Sequence, residues 1–363
     1  MKIAFIIYGD LDRITGGYIY DKHLVEYLTR SNHNIDVISL PDTWYLKSVE
    51  HNFQKKFYNT LAAQQYDIIL QDELCHPSLF RMNRSIRSEF QNPIITIVHA
   101  LKTGLHQNFF TKFLIKSIES SYLQTVDGFI FISQYTKEET NALTTIDAPW
   151  IIAYPAGDRL PGQTTPEEII KKIPAGVPLN LLYLGAITEN KQLHRILETL
   201  SRFPAGEFQI SVAGKFNCSK RYEKKIRRLA RQAGKMHSVK FLGEITDKTA
   251  LANLFKTHHL LTLPSLSEGL PLVILEAASF GVPSITTQRS AAGEFIQNNK
   301  NGVLIDPEDQ SAIYDTLSHL NANRELLSDM SRNVYRSFEN HPTWDQTGEK
   351  IEKFLSTYTE SVQ

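Results

Sequence analysis

The chain has 363 residues, enough for two domains of ordinary size. Apolar residues make up 42% and charged residues 21%, while 39 lysines and arginines balance 39 aspartates and glutamates; this excludes a disordered chain and gives no overall charge for nucleic acid as the main partner. Cys75 and Cys218 lie far apart without CxxC spacing, so neither a disulfide framework nor a zinc site is expected, and reducing, cytoplasmic surroundings fit.

The opening stretch MKIAFIIYGD holds a short apolar run that Gly9-Asp10 stops, which reads as a buried first strand rather than a leader. No apolar run later in the chain approaches the ~18 residues of a membrane span. Short β-rich runs then recur at Ile35–Leu40, Asp67–Gln71, Ile94–His99, Gly128–Ile132 and Trp150–Tyr154. A second series follows at Asn180–Leu184, Phe208–Ala213, Val239–Leu242, Leu260–Leu263, Ser284–Thr287 and Val303–Ile305. Near-continuous apolar runs separated by amphipathic stretches predict parallel strands covered on both faces. Two such series predict an α/β fold of two Rossmann-like, doubly wound domains, at 1–158 and 179–342. Between them, 159–178 is rich in proline and glycine and reads as a linker, with one short helix expected at Glu167–Lys172. The tail, 343–363, reads as a helix able to pack back on the N-terminal domain.

Open α/β sheets bind ligands beyond the carboxyl ends of their strands, so the polar residues there are the candidates. Gly16 and Gly17, in GDLDRITGGYIYDKHL, follow the first strand, with a helix expected from about Gly17; they let main-chain amides approach an anion, although a plain glycine turn accounts for them equally well. The segment is neither GxGxxG nor a GxxxxGK[ST] loop, which counts against a nicotinamide dehydrogenase. His99 follows the strand IITIV and can hydrogen-bond a sugar hydroxyl or phosphate, against the simpler reading of a structural histidine. Asn108–Leu123 is amphipathic, with Phe110, Phe113, Leu114 and Ile118 on one face; core packing is the stronger reading, and contact with a membrane-bound acceptor the other.

In LLYLGAITENKQL, Gly185 leads to Lys191 at a strand–helix junction, a good place for a phosphate. Lys215 follows the next strand and opens a helix with nine lysines or arginines up to Lys235, which reads as a solvated face before it reads as a polyanion site.

The densest stretch is SEGLPLVILEAASFGVPSI, Ser267–Ile285. Pro271 suits a first helical turn and Gly281 a helix end, so a helix is expected from about Pro271 to Phe280. Glu268 then lies in the loop beyond a strand tip, amides at Leu270, Leu272 and Val273 face an anion, and Glu276 stands further along the helix. That order suits a nucleotide sugar: one carboxylate for the sugar hydroxyls, the helix start for the diphosphate, the other carboxylate for the ribose diol. No DxD-like acidic pair sits at a strand tip, Asp10–Asp12 being the nearest, so no metal and no cofactor are expected.

SLSEGLPLVILEAASFGVPSI resembles the EGxPxxxxEAxxxGxPV signature of retaining family-4 (group 1) glycosyltransferases of the GT-B fold. TGGYIYDKHLVEYL, VHA, VDGFIFISQYTKEE, YPAGDRL, LYLGAITENK and NNKNGVLIDPED resemble further family segments in the family order, over nearly the whole chain. The resemblance implies two domains facing a central cleft, with acceptor on the N-terminal side and donor on the C-terminal side. It implies transfer from a nucleoside-diphosphate sugar to a glycan, lipid or small molecule, with retention and usually without metal. Glu268 would contact the donor sugar, Glu276 the ribose and Lys191 the diphosphate. His99 would orient the transferred sugar, Gly16 and Gly17 would line the phosphate and acceptor side, and Ser265, Gly269, Leu270, Pro271 and Leu272 would complete the donor pocket. Peripheral attachment to the inner face of a membrane stays open, as do a sugar-nucleotide hydrolase or epimerase and a non-catalytic binding subunit. Ala186 stands where the family carries arginine and Gln192 where it carries glycine, so Lys191 needs a second cation, with Lys215, Arg159 and Arg289 the candidates.

Overall fold

The computed structural model describes residues 1–53, 59, 61, 64–89, 92–105, 109–162, 164–165, 168 and 176–360. They form two compact units, Met1–Pro155 with Pro342–Gln363, and Ala156–His341.

The first unit holds β1 (Lys2–Tyr8), β2 (Asn34–Leu40), β3 (Ile68–Asp72), β4 (Ile94–Val98), β5 (Gly128–Phe131) and β6 (Trp150–Ile152), in the parallel order β2-β1-β3-β4-β5-β6. Its longer helices are α1 (Gly16–Arg30), α2 (Met82–Glu89), α3 (Phe109–Leu123) and α4 (Gln134–Leu143). The runs read from sequence become these strands because the inner ones are apolar on both faces, while the edge strand β2 leaves Asn34, Val37 and Ser39 exposed. Phe5 of β1, for instance, sits between Val37 and Leu70 and is fully buried.

The second unit holds β7 (Leu179–Leu184), β8 (Phe208–Ala213), β9 (Ser238–Gly243), β10 (Leu260–Leu263), β11 (Ser284–Thr287) and β12 (Val303–Ile305), in the parallel order β12-β11-β10-β7-β8-β9. Around them run α5 (Leu193–Leu200), α6 (Lys220–Ala233), α7 (Lys248–Thr257), α8 (Leu272–Ala278), α9 (Ala312–Ala322) and α10 (Arg324–Glu339). The amphipathic α6 buries Tyr222, Ile226, Leu229 and Ala233 and turns its arginines and lysines outward, as a solvated face should.

The last helix, α11 (Trp344–Glu360), packs in the first unit. Trp344 stacks on His23 with ring centroids 4.4 Å apart, Glu352 takes His33 at 2.7 Å and the Tyr27 hydroxyl at 3.0 Å, and Tyr358 donates to the Asp127 carbonyl. Gly348 lets α11 lie against the Tyr27 ring, where a Cβ would collide.

Two expectations need correction, and a third falls on residues outside those described. Residues Ala156–Arg159 belong with the second unit, because Gly157 lies against the Leu275 carbonyl of α8 and Arg159 pairs with Glu276 on that helix. The helix expected at Glu167–Lys172 lies outside the described residues except for Glu168. On α3, Phe113 and Leu114 are 71% and 42% exposed, while Ile115, Ile118 and Tyr122 are buried, the Tyr122 hydroxyl meeting Thr96 of β4. The apolar stripe read from sequence was rotated by about one residue from the buried one, and the side chain of Phe110 lies outside the described residues.

Candidate functional site

In the second unit the chain runs from β7 outward to β9, then returns to β10 on the other side of β7. The β7/β10 boundary is the topological switch point, where helices leave the two strands on opposite faces and open a crevice at their carboxyl ends. Lys191 comes from the loop after β7 and Glu268 from the loop after β10, and the sheet brings them together: Lys191 Nζ donates to Glu268 Oε1 at 2.9 Å, with both side chains half-buried. The loops are laced to each other, as Leu266 N donates to the Asn190 carbonyl and Asn190 Nδ2 to the Ser267 carbonyl. Gly185 (φ +146°) gives the Lys191 stem a flat bed, and Gly214 (φ +149°) lies against the Gly185 carbonyl, where a Cβ would collide.

The Gln192 position shows why a glycine suits it. Gln192 caps α5 at φ 49°, ψ 35°, in the left-handed region that side chains avoid. Gln192→Gly is therefore expected to stabilise the protein by about 0.5–1 kcal/mol, the relief of strain exceeding the added freedom of the unfolded chain. Thermal unfolding checks this; a melting temperature equal to or below that of the wild type would contradict it.

The helix expected from Pro271 begins one residue later. Pro271, at φ −66° and ψ 110°, caps α8 from outside instead of forming its first turn. The amides of Leu272 and Val273 have no intrahelical acceptor upstream. Glu268 is held by its own amide on the Arg289 carbonyl, and the Gly269 carbonyl accepts from Ala291. Ser265 is fully buried, and its hydroxyl finds no hydrogen-bond partner among the described residues.

Glu276 is only 3% exposed, and Arg159 Nε donates to its Oε1. Burial pushes the Glu276 carboxyl upward, and Arg159 works against that shift. Of the three candidate cations, Arg159 is thus the one built into the site. Lys215 pairs with Glu244 on the surface, and Arg289 pairs with Glu308 at 2.8 Å. Sequence reasoning named Arg159 only as an alternative, because it sits in a stretch that reads as linker.

In the first unit Gly16 opens α1, one residue earlier than expected. A Cβ on Gly17 would lie 3.3 Å from the His99 ring, so the bare helix start rests on that imidazole. One turn on, buried Asp21 accepts from His99 Nε2 at 2.9 Å. Burial works against a charged imidazole here, but Asp21, backed by Asp72 and Glu73, outweighs it and holds His99 up at about 9. Nε2 being engaged, Nδ1 is the ring's other donor. Sequence reasoning missed Asp21, which reads as an ordinary helix carboxylate; its only signal was the four-residue spacing from Gly17. Gly16, Gly17 and His99 thus gather in the first unit, and Gly185, Lys191, Glu268 and Glu276 in the second.

Residues 166–337 match the family model for glycosyl transferases of group 1. An uncharacterized glycosyltransferase of Methanocaldococcus jannaschii is 22% identical, with 95% of each chain covered. The sucrose-phosphate synthase of Thermosynechococcus elongatus superposes with a TM-score of 0.81 at 16% identity, over 99% of both chains. HepE of Anabaena, solved in complex with UDP-glucose, superposes with a TM-score of 0.78 at 15% identity, over 98% of this chain and 100% of that one. At such identities the structures speak for the fold, which is that of the GT-B glycosyltransferases.

Proposed function

We propose, from the premise that this chain is a group 1 glycosyltransferase, that its second unit binds a nucleoside-diphosphate sugar at the β7/β10 switch point and that the enzyme transfers the sugar with retention. The observation that carries the reading is the Lys191–Glu268 pair, a cation and a carboxylate from two strand tips, with a second buried carboxylate on the helix just beyond. Lys191 takes the diphosphate, Glu268 the sugar hydroxyls and Glu276 the ribose diol. Each carboxylate is neutralised by its own cation, Glu268 by Lys191 and Glu276 by Arg159. Binding exchanges these ion pairs for substrate hydroxyls and phosphate, and Arg159 supplies the second positive charge that Ala186 does not. The first unit takes the acceptor, its polar tip formed by Gly16, Gly17 and the His99–Asp21 pair.

UDP-glucose is the first donor to try, since the similarly folded HepE was solved with it. Release of nucleoside diphosphate that requires an added acceptor supports the transferase. Release without acceptor would indicate a hydrolase, and binding without any release a non-catalytic subunit.

The diphosphate charge is met by side-chain cations and main-chain amides, without a divalent ion at the phosphates. Both clusters of three ligating side chains found among the described residues lie in the first unit. UDP at ~100 times its dissociation constant adds ~2.7 kcal/mol to stability. The resulting rise in melting temperature is expected to be the same in chelator and in magnesium. A rise seen only with magnesium would sink this part of the proposal.

A further inference from the structure

Beneath the β3 tip of the first unit lies a second group of ionisable side chains, outside the residues given a role above. Glu73 follows β3, His76 opens the short helix His76–Leu79, and Glu119 comes from α3. All three are fully buried. Glu119 accepts from the Lys102 amide at 2.6 Å, the Thr103 amide at 3.1 Å and the Thr103 hydroxyl, the setting of an ionised carboxylate. His76 is neutral and has no lone pair to offer an ion. Its Nδ1 donates to the Glu73 carbonyl at 3.0 Å, its Nε2 takes the Tyr45 hydroxyl at 2.8 Å, and burial pushes the ring down to about 4.

Glu73 is the unexplained member. Among the described residues no N–H or O–H is directed at either of its carboxylate oxygens, and its side-chain hydrogen bond is to Glu119. Ionised carboxylates are acceptors only, so two of them bond to each other only through a proton. The charge balance asks for the same proton. Asp21, Asp72, Glu73 and Glu119 are all buried around the cations His99 and Lys102, and His99 is already engaged by Asp21. Carboxylates in excess of cations in a dry interior are costly, and protonating one of them removes the excess.

We propose that Glu73 and Glu119 share one proton, with Glu73 the donor, and that this proton is a pH switch: it clamps the β3 tip to α3 and to the loop after β4, and its loss sets two carboxylates against each other. The strand tips held in this way carry Asp72 and His99, which on the reading above belong to the acceptor side. Burial lifts the Glu73 carboxyl from its ordinary 4.5 to about 7, against the hydrogen bond to Glu119 and the cations His99 and Lys102. The unfolded chain therefore gives up this proton well before the folded one. Between those two values the folded state holds the extra proton, so stability falls as pH rises through the window and levels off above it. Other groups face the pair. Burial pushes Tyr45, Tyr122 and Cys75 upward, so they stay neutral; it opposes charge on His99, which Asp21 nevertheless holds up at about 9; and it raises Asp72 and Glu139. All of these are common to wild type and Glu73→Gln, so the difference between the two proteins isolates Glu73.

Thermal unfolding of the full chain tests this without donor or acceptor, so its outcome is independent of the reading of the acceptor side. Glutamine offers Glu119 a permanent N–H in place of the acid proton. The melting temperature of Glu73→Gln relative to wild type is expected to rise by several degrees between about pH 5 and about pH 8. A difference that stays the same, or falls, would overturn the proposal. Should Glu73→Gln not fold, infrared spectra of Asp72→Asn decide, since that substitution removes the neighbouring raised carboxyl. The carbonyl stretch of a protonated carboxylic acid is expected at about pH 6 and is expected to fade by about pH 9. Absence of the band at the lower pH, or its persistence at the higher, would overturn the shared proton.

Discussion

Lys191→Ala is expected to lower turnover with UDP-glucose about ten- to a hundredfold, and Lys215→Ala far less. The two lysines follow neighbouring strands, β7 and β8, and both read from sequence as phosphate candidates. Their surroundings separate them. Lys191 is half-buried at the switch point on Glu268, so removing it takes a charge from the diphosphate and leaves a carboxylate without its cation. A charge-assisted contact of that kind contributes ~1.5–3 kcal/mol. The Lys215 side chain is 65% exposed on Glu244, and exposed pairs contribute ~0–1 kcal/mol. Steady-state kinetics of both variants, with folding checked by thermal unfolding, test the assignment. Wild-type turnover in Lys191→Ala, or a larger loss in Lys215→Ala, would reject it.

What could be read in advance follows from how local each feature is. All twelve strands were legible because each is a run of three to seven adjacent residues rich in β-formers, near-continuously apolar where the strand is buried on both faces. The Glu268–Glu276 order was legible for the same reason, since loop, cap and helix lie within one short stretch. Long-range partners were not. Asp21 and His99 are 78 residues apart and meet only because the β1–α1 turn lies over the β4 tip. Arg159 and Glu276 are 117 apart, and Arg159 was masked by the prolines and glycines around it, which suggest a solvated strap. Glu73, His76 and Glu119 each look like ordinary polar residues of a turn or helix face, and only the fold shows that all three point inward. On α3 the error was one of phase: Phe113 and Leu114 seemed the natural core positions, and a rotation of one residue buried Ile115 instead.

The two carboxylates of the second unit should fail in different ways. Glu276 is assigned to the ribose diol, which changes little during transfer, so its loss should weaken donor binding nearly uniformly. Glu268 is assigned to the sugar, where charge develops at the anomeric carbon, so its loss should fall mainly on turnover. A complication arises from the buried partner: Arg159 is 10% exposed, and Glu276→Ala strands its charge, which lowers stability by ~3–5 kcal/mol. Comparing two donors on the same preparation removes that effect, because any unfolded fraction cancels in the ratio. Wild type is expected to prefer a ribo donor over its 2′-deoxy form about ten- to a hundredfold in kcat/KM, the consequence of leaving a buried hydroxyl partner unmatched. In Glu276→Ala that preference should fall close to unity, and in Glu268→Ala it should persist at a much lower rate. Arg159→Ala provides the internal control, since it strips the partner and keeps the carboxylate, so its preference should stay near wild type while its diphosphate affinity drops. A 2′-hydroxyl preference that survives Glu276→Ala undiminished would remove that residue as the ribose ligand and leave its pairing with Arg159 a purely structural one.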